Sequence, residues 1–380
     1  MRGVSEKLGV CVASLDGKTP VVRVLDTRYQ ARYDALTRSL LYVENGTLMA
    51  RRLELDPPRL TGDPKRVAEG VAASLGAGSA DFSISAGGVL FYRRGSVQGK
   101  AQFAWLDRGG RKLETLADPM EDVGLFFQLS PDGARVAYAA GAQRLDIWVL
   151  DVRRSTRMRL TVRGGATPVW TPDGKQIYYN CGAGRGVCRK AADGSGEEEV
   201  VSTSLDVPSS ISPDGSTVLL AGNDILALRL GGKEVPQPWL QTPFNEAFPA
   251  FSPDGRWVAY QSNESGRSEV YVQGYPERRG KVPVSQAGGN APHWSADGRE
   301  LYWIAPDRML MAMPVTSGPG GIEAGKPTPL FRVPLGTGFP WFEPDRDGKR
   351  FLVAERVGID DRELPMVVIQ NWPALAGVQR

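Results

Sequence analysis

A single histidine among 380 residues limits the chemistry open to this chain. A Ser-His-Asp triad, a His-Glu-x-x-His zinc site or a two-histidine metal centre would have to be built on His293, and the last two need a second imidazole. Three cysteines, Cys11, Cys181 and Cys188, are too few for a disulfide framework or a four-cysteine metal site. Cys181 and Cys188 flank the short connection from Gly182 to Val187, so a bond across a hairpin is sterically open to them in an oxidising compartment. Cys11 reads as a small buried hydrophobe in an early strand. No Gly-x-Ser-x-Gly elbow is present. Asp132, Asp173, Asp214, Asp254 and Asp297 recur too regularly for one site: spread one per repeat, they cannot share an ion. The expectation is a protein without metal or cofactor and without a catalytic centre.

Those aspartates point to the elements that carry them. Ser130-Pro131-Asp132-Gly133, Thr171-Pro172-Asp173-Gly174, Ser212-Pro213-Asp214-Gly215, Ser252-Pro253-Asp254-Gly255 and Ser295-Ala296-Asp297-Gly298 follow one another every 40 to 43 residues. Proline presets the first turn position, aspartate follows readily, and glycine takes the left-handed conformation that closes a hairpin. Weaker copies lie at Ser85-Ala86-Gly87-Gly88, around Ala35 to Arg38, and at Glu343-Pro344-Asp345 with an extension to Gly348. Apolar strands follow the turns, as in Val136-Ala137-Tyr138 and Leu301-Tyr302-Trp303, and two further strands complete each repeat, as in Asp146–Asp151 and Met158–Thr161.

Four short strands per repeat is the pattern of a β-propeller blade, so the fold class is all-β. Turns near 36, 86, 131, 172, 213, 253, 296 and 346 predict eight blades in one domain over residues 1–380, with seven as the alternative. An N-terminal strand, Gly9–Ser14 or Val21–Leu25, is expected to complete the last blade. Glycine (45) and proline (28) exceed the roughly 12% of average usage, as turns at this density require. Before each turn the last residue is apolar: Ile84, Leu129, Trp170, Ile211, Phe251, Trp294, Phe342. The residue before it varies: Ser83, Gln128, Val169, Ser210, Ala250, His293, Trp341. The variable column either lines the axial channel or belongs to the core between blades.

The Ser-Pro-Asp-Gly turns, Asp146-Ile147-Trp148 and Arg159-Leu160-Thr161 resemble the TolB-type propeller repeat, without the Gly-His and Trp-Asp signatures of WD repeats. Gly46-Thr47-Leu48-Met49-Ala50, Leu60-Thr61-Gly62-Asp63-Pro64, Trp105-Leu106-Asp107-Arg108 and the run Trp257 to Gly266 resemble the C-terminal propeller of bacterial receptor-type serine/threonine protein kinases. That resemblance implies a sensory or interaction module. No kinase motif is present in the chain, so kinase activity does not carry over.

Loops on a rigid scaffold carry function, so the binding candidates are Arg185, Phe244, Asn245, Glu246, Asn263, Glu264, His293, Trp341, Asp360 and Asp361, with Met120 to Asp122, Asn290, Phe339, Pro340 and Arg362 beside them. The leading function is a non-enzymatic binding or sensor module for a protein, a peptide or a small ligand at the central channel. The alternatives are a lyase or hydrolase acting on carbohydrate or peptide there, and a separated kinase fragment. A net charge of +3 with no basic block gives no reason to expect nucleic acid. No apolar run approaches the roughly 18 residues of a membrane span. A monomer is expected. The opening residues lack a secretory signal's apolar core, which reads as cytoplasmic, whereas the resemblance implies an extracytoplasmic location.

Overall fold

Each turn of the repeat bends one strand back on the next through the same set of bonds. At Ser130 the Gly133 N–H donates to the Ser130 carbonyl at 2.8 Å, with Gly133 at φ 70°. Gly174, Gly215, Gly255, Gly298 and Gly348 lie at φ 65° to 73°, where a side chain would be strained. The serine has a part that the sequence reading did not give it. Ser130 Oγ donates to Asp132 Oδ1 at 2.5 Å and accepts from the Arg135 N–H at 2.9 Å. Asp132 Oδ1 also accepts from the Ala134 N–H at 3.0 Å. Thr171, Ser212, Ser252 and Ser295 repeat the arrangement. Successive turns also touch. A Cβ added at Gly174, Gly215, Gly255 or Gly298 would lie 3.4 to 4.0 Å from the preceding turn's proline.

The structure, a computed structural model, describes residues 9–378 except 15–19, 28, 45, 75–78, 95–99, 122, 142–143, 183, 233–234, 319–320, 335–339, 358–365 and 376. The chain divides into two compact units, residues 1–99 with 358–380, and residues 100–357.

Among the described residues, the unit of residues 100–357 contains six antiparallel sheets. Their inner strands are Val123–Leu129, Ala166–Trp170, Val207–Ile211, Glu246–Phe251, Asn290–Trp294 and Phe342–Pro344, which we number as blades one to six. Blade six is built from both ends of the unit. Lys100–Asp107 pairs with Arg350–Val357 along its whole length, from Lys100 against Val357 to Asp107 against Arg350. Each consecutive pair of blades shares an apolar cluster: Ile147 with Trp170 and Tyr179, for example, and Phe103 of blade six with Phe127 and Tyr138 of blade one. Blades five and six meet through Tyr302, Phe342 and Phe351, which completes the ring.

In the other unit, Arg32–Asp34, Ser39–Glu44, Thr47–Leu55 and Pro58–Glu69 form a four-stranded sheet, and Phe82–Ile84, Leu90–Arg93 and Met366–Ile369 a three-stranded one. Leu41, Leu48, Phe82, Leu90 and Trp372 form its core.

Three expectations are corrected. All eight inner hairpins exist, but those near 36 and 86 belong to the smaller unit. The ring of residues 100–357 closes at six blades, because Lys100–Asp107 already occupies the open edge of the last one. The N-terminal strand does not complete a blade. Gly9–Val12 pairs with Val22–Asp26, and Met366–Ile369 pairs with Leu90–Arg93. Cys11 is exposed, since this two-stranded ribbon buries neither of its faces.

The final turn is also shifted. Asp345 N–H donates to the Arg350 carbonyl and Gly348 N–H to the Asp345 carbonyl, so the sixth copy of the motif is Asp345-Arg346-Asp347-Gly348. The residue before the turn is therefore Pro344, and the variable column ends on Glu343 rather than Trp341.

Candidate functional site

The inner strands of the six blades enclose a cavity of about 490 Å³. That is within the range of small-ligand sites. The second residue before each turn, Gln128, Val169, Ser210, Ala250, His293 and Glu343, lines it. So do Phe126, Thr167, Pro208, Phe248 and Trp341, the fourth residue before the turn in blades one to four and six. Between these two levels the strands lose register. Thr167, Phe248 and Ala291, each preceding a proline, take φ of 49° to 52°. Such bulges re-aim side chains, and strain of this kind concentrates at binding sites.

At this level three rings meet. Phe126 of blade one and Trp341 of blade six lie 4.9 Å apart between centroids, edge to face. Phe248, from blade four on the far side of the ring, lies 5.9 Å from Phe126 and 5.8 Å from Trp341. Rings from opposite blades in mutual contact form an aromatic floor across the channel. From there the cavity extends to Pro131, Pro253, Ala296 and Arg346 of the turns.

The polar feature of the wall is the pair His293 and Glu343. His293 Nε2 lies 3.2 Å from Glu343 Oε1, and Nδ1 lies 3.1 Å from the Ala291 carbonyl. A carbonyl only accepts, so Nδ1 carries a hydrogen. Trp341 Nε1 donates to the Phe127 carbonyl at 2.9 Å and reaches Glu343 Oε1 at 3.3 Å. The imidazole also packs against Trp341 and Phe342, with centroids 5.0 and 4.7 Å away. At the rim, burial and then the adjacent Asp347 carboxyl raise the Asp345 carboxyl above its usual range, against the Arg350 guanidinium at 2.8 Å.

Of the residues singled out from the sequence, His293 and Trp341 come together in the cavity. Phe244, Asn245, Glu246, Asn263 and Glu264 form a separate group. Asn245 N–H donates to Asn263 Oδ1 at 2.9 Å, and Phe244 is 44% exposed beside them. Glu246 is buried, which raises its carboxyl, and it accepts from Thr242 and Ser262. Lys281 pairs with Glu264 at 2.5 Å. Arg185 is used internally, on Glu198 and the Cys181 and Arg163 carbonyls. Cys181 and Cys188 are joined in a disulfide, with Cα atoms 5.4 Å apart. Of the neighbouring candidates, Met120 is buried and Asn290 lies in the inner strand of blade five. Asp360, Asp361 and Arg362, like Asp122 and Phe339, lie outside the described residues.

The sequence reading missed Phe126, Phe248 and Glu343. The first two lie within the stretches where strand pairing slips, and the third was hidden by the shifted turn. Among the described residues no three His, Cys, Asp or Glu side chains are placed to hold a metal ion. None of the described helices is long and apolar enough to cross a membrane.

Sheets of this topology define a β-propeller, and solved structures show its type. The putative TolB from Agrobacterium tumefaciens superposes with a TM-score of 0.55 at 16% identity, over 69% of this chain and 99% of that one. Kuenenia stuttgartiensis hydrazine synthase gives 0.49 at 15% identity, over 76% and 94%. The β-propeller domain of Cps50 (Swd1) from Myceliophteria thermophila gives 0.48 at 12%, over 66% and 88%. The fold is thus a propeller of the TolB type, and at such identities the likeness extends to the fold alone. No family model and no curated protein matches the sequence.

Proposed function

We propose that residues 100–357 are a non-catalytic binding module whose axial cavity takes an apolar part of a protein or small-ligand partner. The observation that carries this reading is the cavity itself: an aromatic floor of Phe126, Phe248 and Trp341 under a wall of prolines, with the His293–Glu343 pair as its polar handle. Aromatic rings in a concave site supply contact area at low entropic cost. The turn aspartates support a role without catalysis, since their carboxylates are engaged within their own turns. By resemblance to the propellers of receptor kinases, the module serves sensing. The Cys181–Cys188 bond favours an oxidising, extracytoplasmic compartment.

Photo-crosslinking tests the reading. With p-benzoylphenylalanine in place of Phe248, the full chain is irradiated in cells, and adducts are identified by mass spectrometry. The control carries the same group at Met158, an exposed position on an outer strand. A discrete adduct at position 248 that is absent at 158 supports the module. Identical adducts at both positions, or none at 248, would sink it.

A further inference from the structure

Around the cavity one hydrogen bond repeats between neighbouring blades. The second residue before a turn reaches the main-chain N–H of the residue just before the next blade's turn. Gln128 Oε1 accepts from the Trp170 N–H at 2.7 Å and Ser210 Oγ from the Phe251 N–H at 3.1 Å, while Glu343 Oε2 stands 3.5 Å from the Leu129 nitrogen. Strand alternation sets the direction of these N–H groups. The residue after each one donates to its own partner strand, so the N–H before it faces away from that strand.

Ser295 N–H likewise donates to the Glu300 carbonyl at 2.8 Å, so the Trp294 N–H faces the same way. The residue placed to cap it is Ala250, whose side chain carries no acceptor. The Trp294 indole is already committed, with Nε1 donating to the Ala250 carbonyl at 3.1 Å. Ala250 is partly exposed, and both residues line the cavity. The other breaks in the pattern leave no such opening. Val169, only 4% exposed, stands before Ile211, and Pro344, which follows His293 in the ring, has no N–H.

We propose that the Trp294 N–H and the space beside Ala250 form a ligand subsite that receives a neutral carbonyl oxygen, of an amide or ester, carried on an apolar body. The ligand then supplies the oxygen that Gln128 and Ser210 supply elsewhere in the ring. A carboxylate fits less well: it would shed more hydration on entering a wall of prolines and rings, and it would share the cavity with Glu343. This names the ligand chemistry of the binding module proposed above and rests on that reading.

Ala250→Ser installs the missing cap, in the manner of Ser210. The full-length chain, 15N-labelled, is followed by amide hydrogen exchange and titrated with N-acetylphenylalanine methylamide, with N-acetylphenylalanine, and with propylbenzene, which lacks a carbonyl. In the native chain the Trp294 amide exchanges at least tenfold faster than that of Phe251, and Ala250→Ser slows it to the Phe251 rate. The methylamide shifts the Trp294 amide resonance, binds more tightly than the acid or the hydrocarbon, and loses at least fivefold in affinity to Ala250→Ser. A Trp294 amide as protected as that of Phe251 overturns the subsite, as does methylamide affinity unchanged by Ala250→Ser, or no binding at all. Phe248→Ala separates the two ideas. If it abolishes methylamide binding while Ala250→Ser does not alter it, the cavity reading stands and the carbonyl subsite falls.

Discussion

Ser130→Ala should destabilise the six-bladed unit by about 2 kcal/mol although it removes one oxygen atom from a surface turn. Ser130 is 2% exposed, and its hydroxyl makes two bonds, as donor to Asp132 and as acceptor from the Arg135 N–H at 2.9 Å. Its loss leaves that N–H without a partner, which costs about 1–3 kcal/mol for a buried donor. The weakened Asp132 contact adds little, because that carboxylate is largely exposed. For a unit of this size each kcal/mol lowers Tm by about 2–4 °C, so the expected drop is about 4–8 °C. Urea unfolding followed by tryptophan fluorescence gives the same quantity as a shift in midpoint at constant slope. Ser130→Thr is the control, since Thr171 makes both bonds in the second turn, and it should stay within 0.5 kcal/mol of the native chain. Acid provides a further check. The Ser130 hydroxyl is the largest cause holding the Asp132 carboxyl below its usual range. The stability linked to it is complete above about pH 4 and lost as pH falls through the lowered value, so the gap between native chain and Ser130→Ala narrows below that pH. A Ser130→Ala variant as stable as the native chain, or a Ser130→Thr variant equally damaged, would refute this account of the turn.

Asp345→Ser restores the residue of the other turns. The raised Asp345 carboxyl contributes stability that is lost as pH rises through its folded value, so the variant should gain stability near neutral pH and lose that advantage below pH 4; parallel urea midpoints across pH 3 to 8 would contradict it. Cys181→Ser with Cys188→Ser opens a loop with a sequence separation of 7, and chain entropy sets the cost at about 2–3 kcal/mol. Reductant should lower the native urea midpoint and leave the variant's unchanged, and equal responses would show that the bond does not constrain the unfolded chain. Gln128→Leu uncaps the Trp170 N–H, which should cost about 1–2 kcal/mol and speed exchange at that amide alone; exchange that stays slow would remove the capping rule.

The turns were legible in the sequence because everything that shapes them is local: a proline, an aspartate that accepts from the next N–H groups, and a glycine at positive φ lie within a few residues of one another. Ring size was not legible. The hairpins near 36 and 86 carry weaker copies of the turn, but nothing local assigns them to another unit; what separates them is the pairing of Lys100–Asp107 with Arg350–Val357, a contact between distant stretches of chain. The final turn was misread by two residues because Asp345 stands where serine is the rule, and with that shift Glu343 lost its place opposite His293.

His293 was within reach because it lies on the near side of the bulge, where period-two alternation still counts. Phe126 and Phe248 lie within the stretches where strand pairing slips, and their convergence on Trp341 joins distant blades, so it could come only from the closed ring. The same dependence on ring order gives the variable column its meaning. Gln128, Val169, Ser210, Ala250, His293 and Glu343 look like a permissive face when read along the chain. Read around the ring, each side chain except that of His293, which stands before Pro344, either meets or fails to meet an N–H of the next blade. Ala250 then becomes informative for what it lacks, because the N–H it leaves uncapped belongs to Trp294 on the cavity wall.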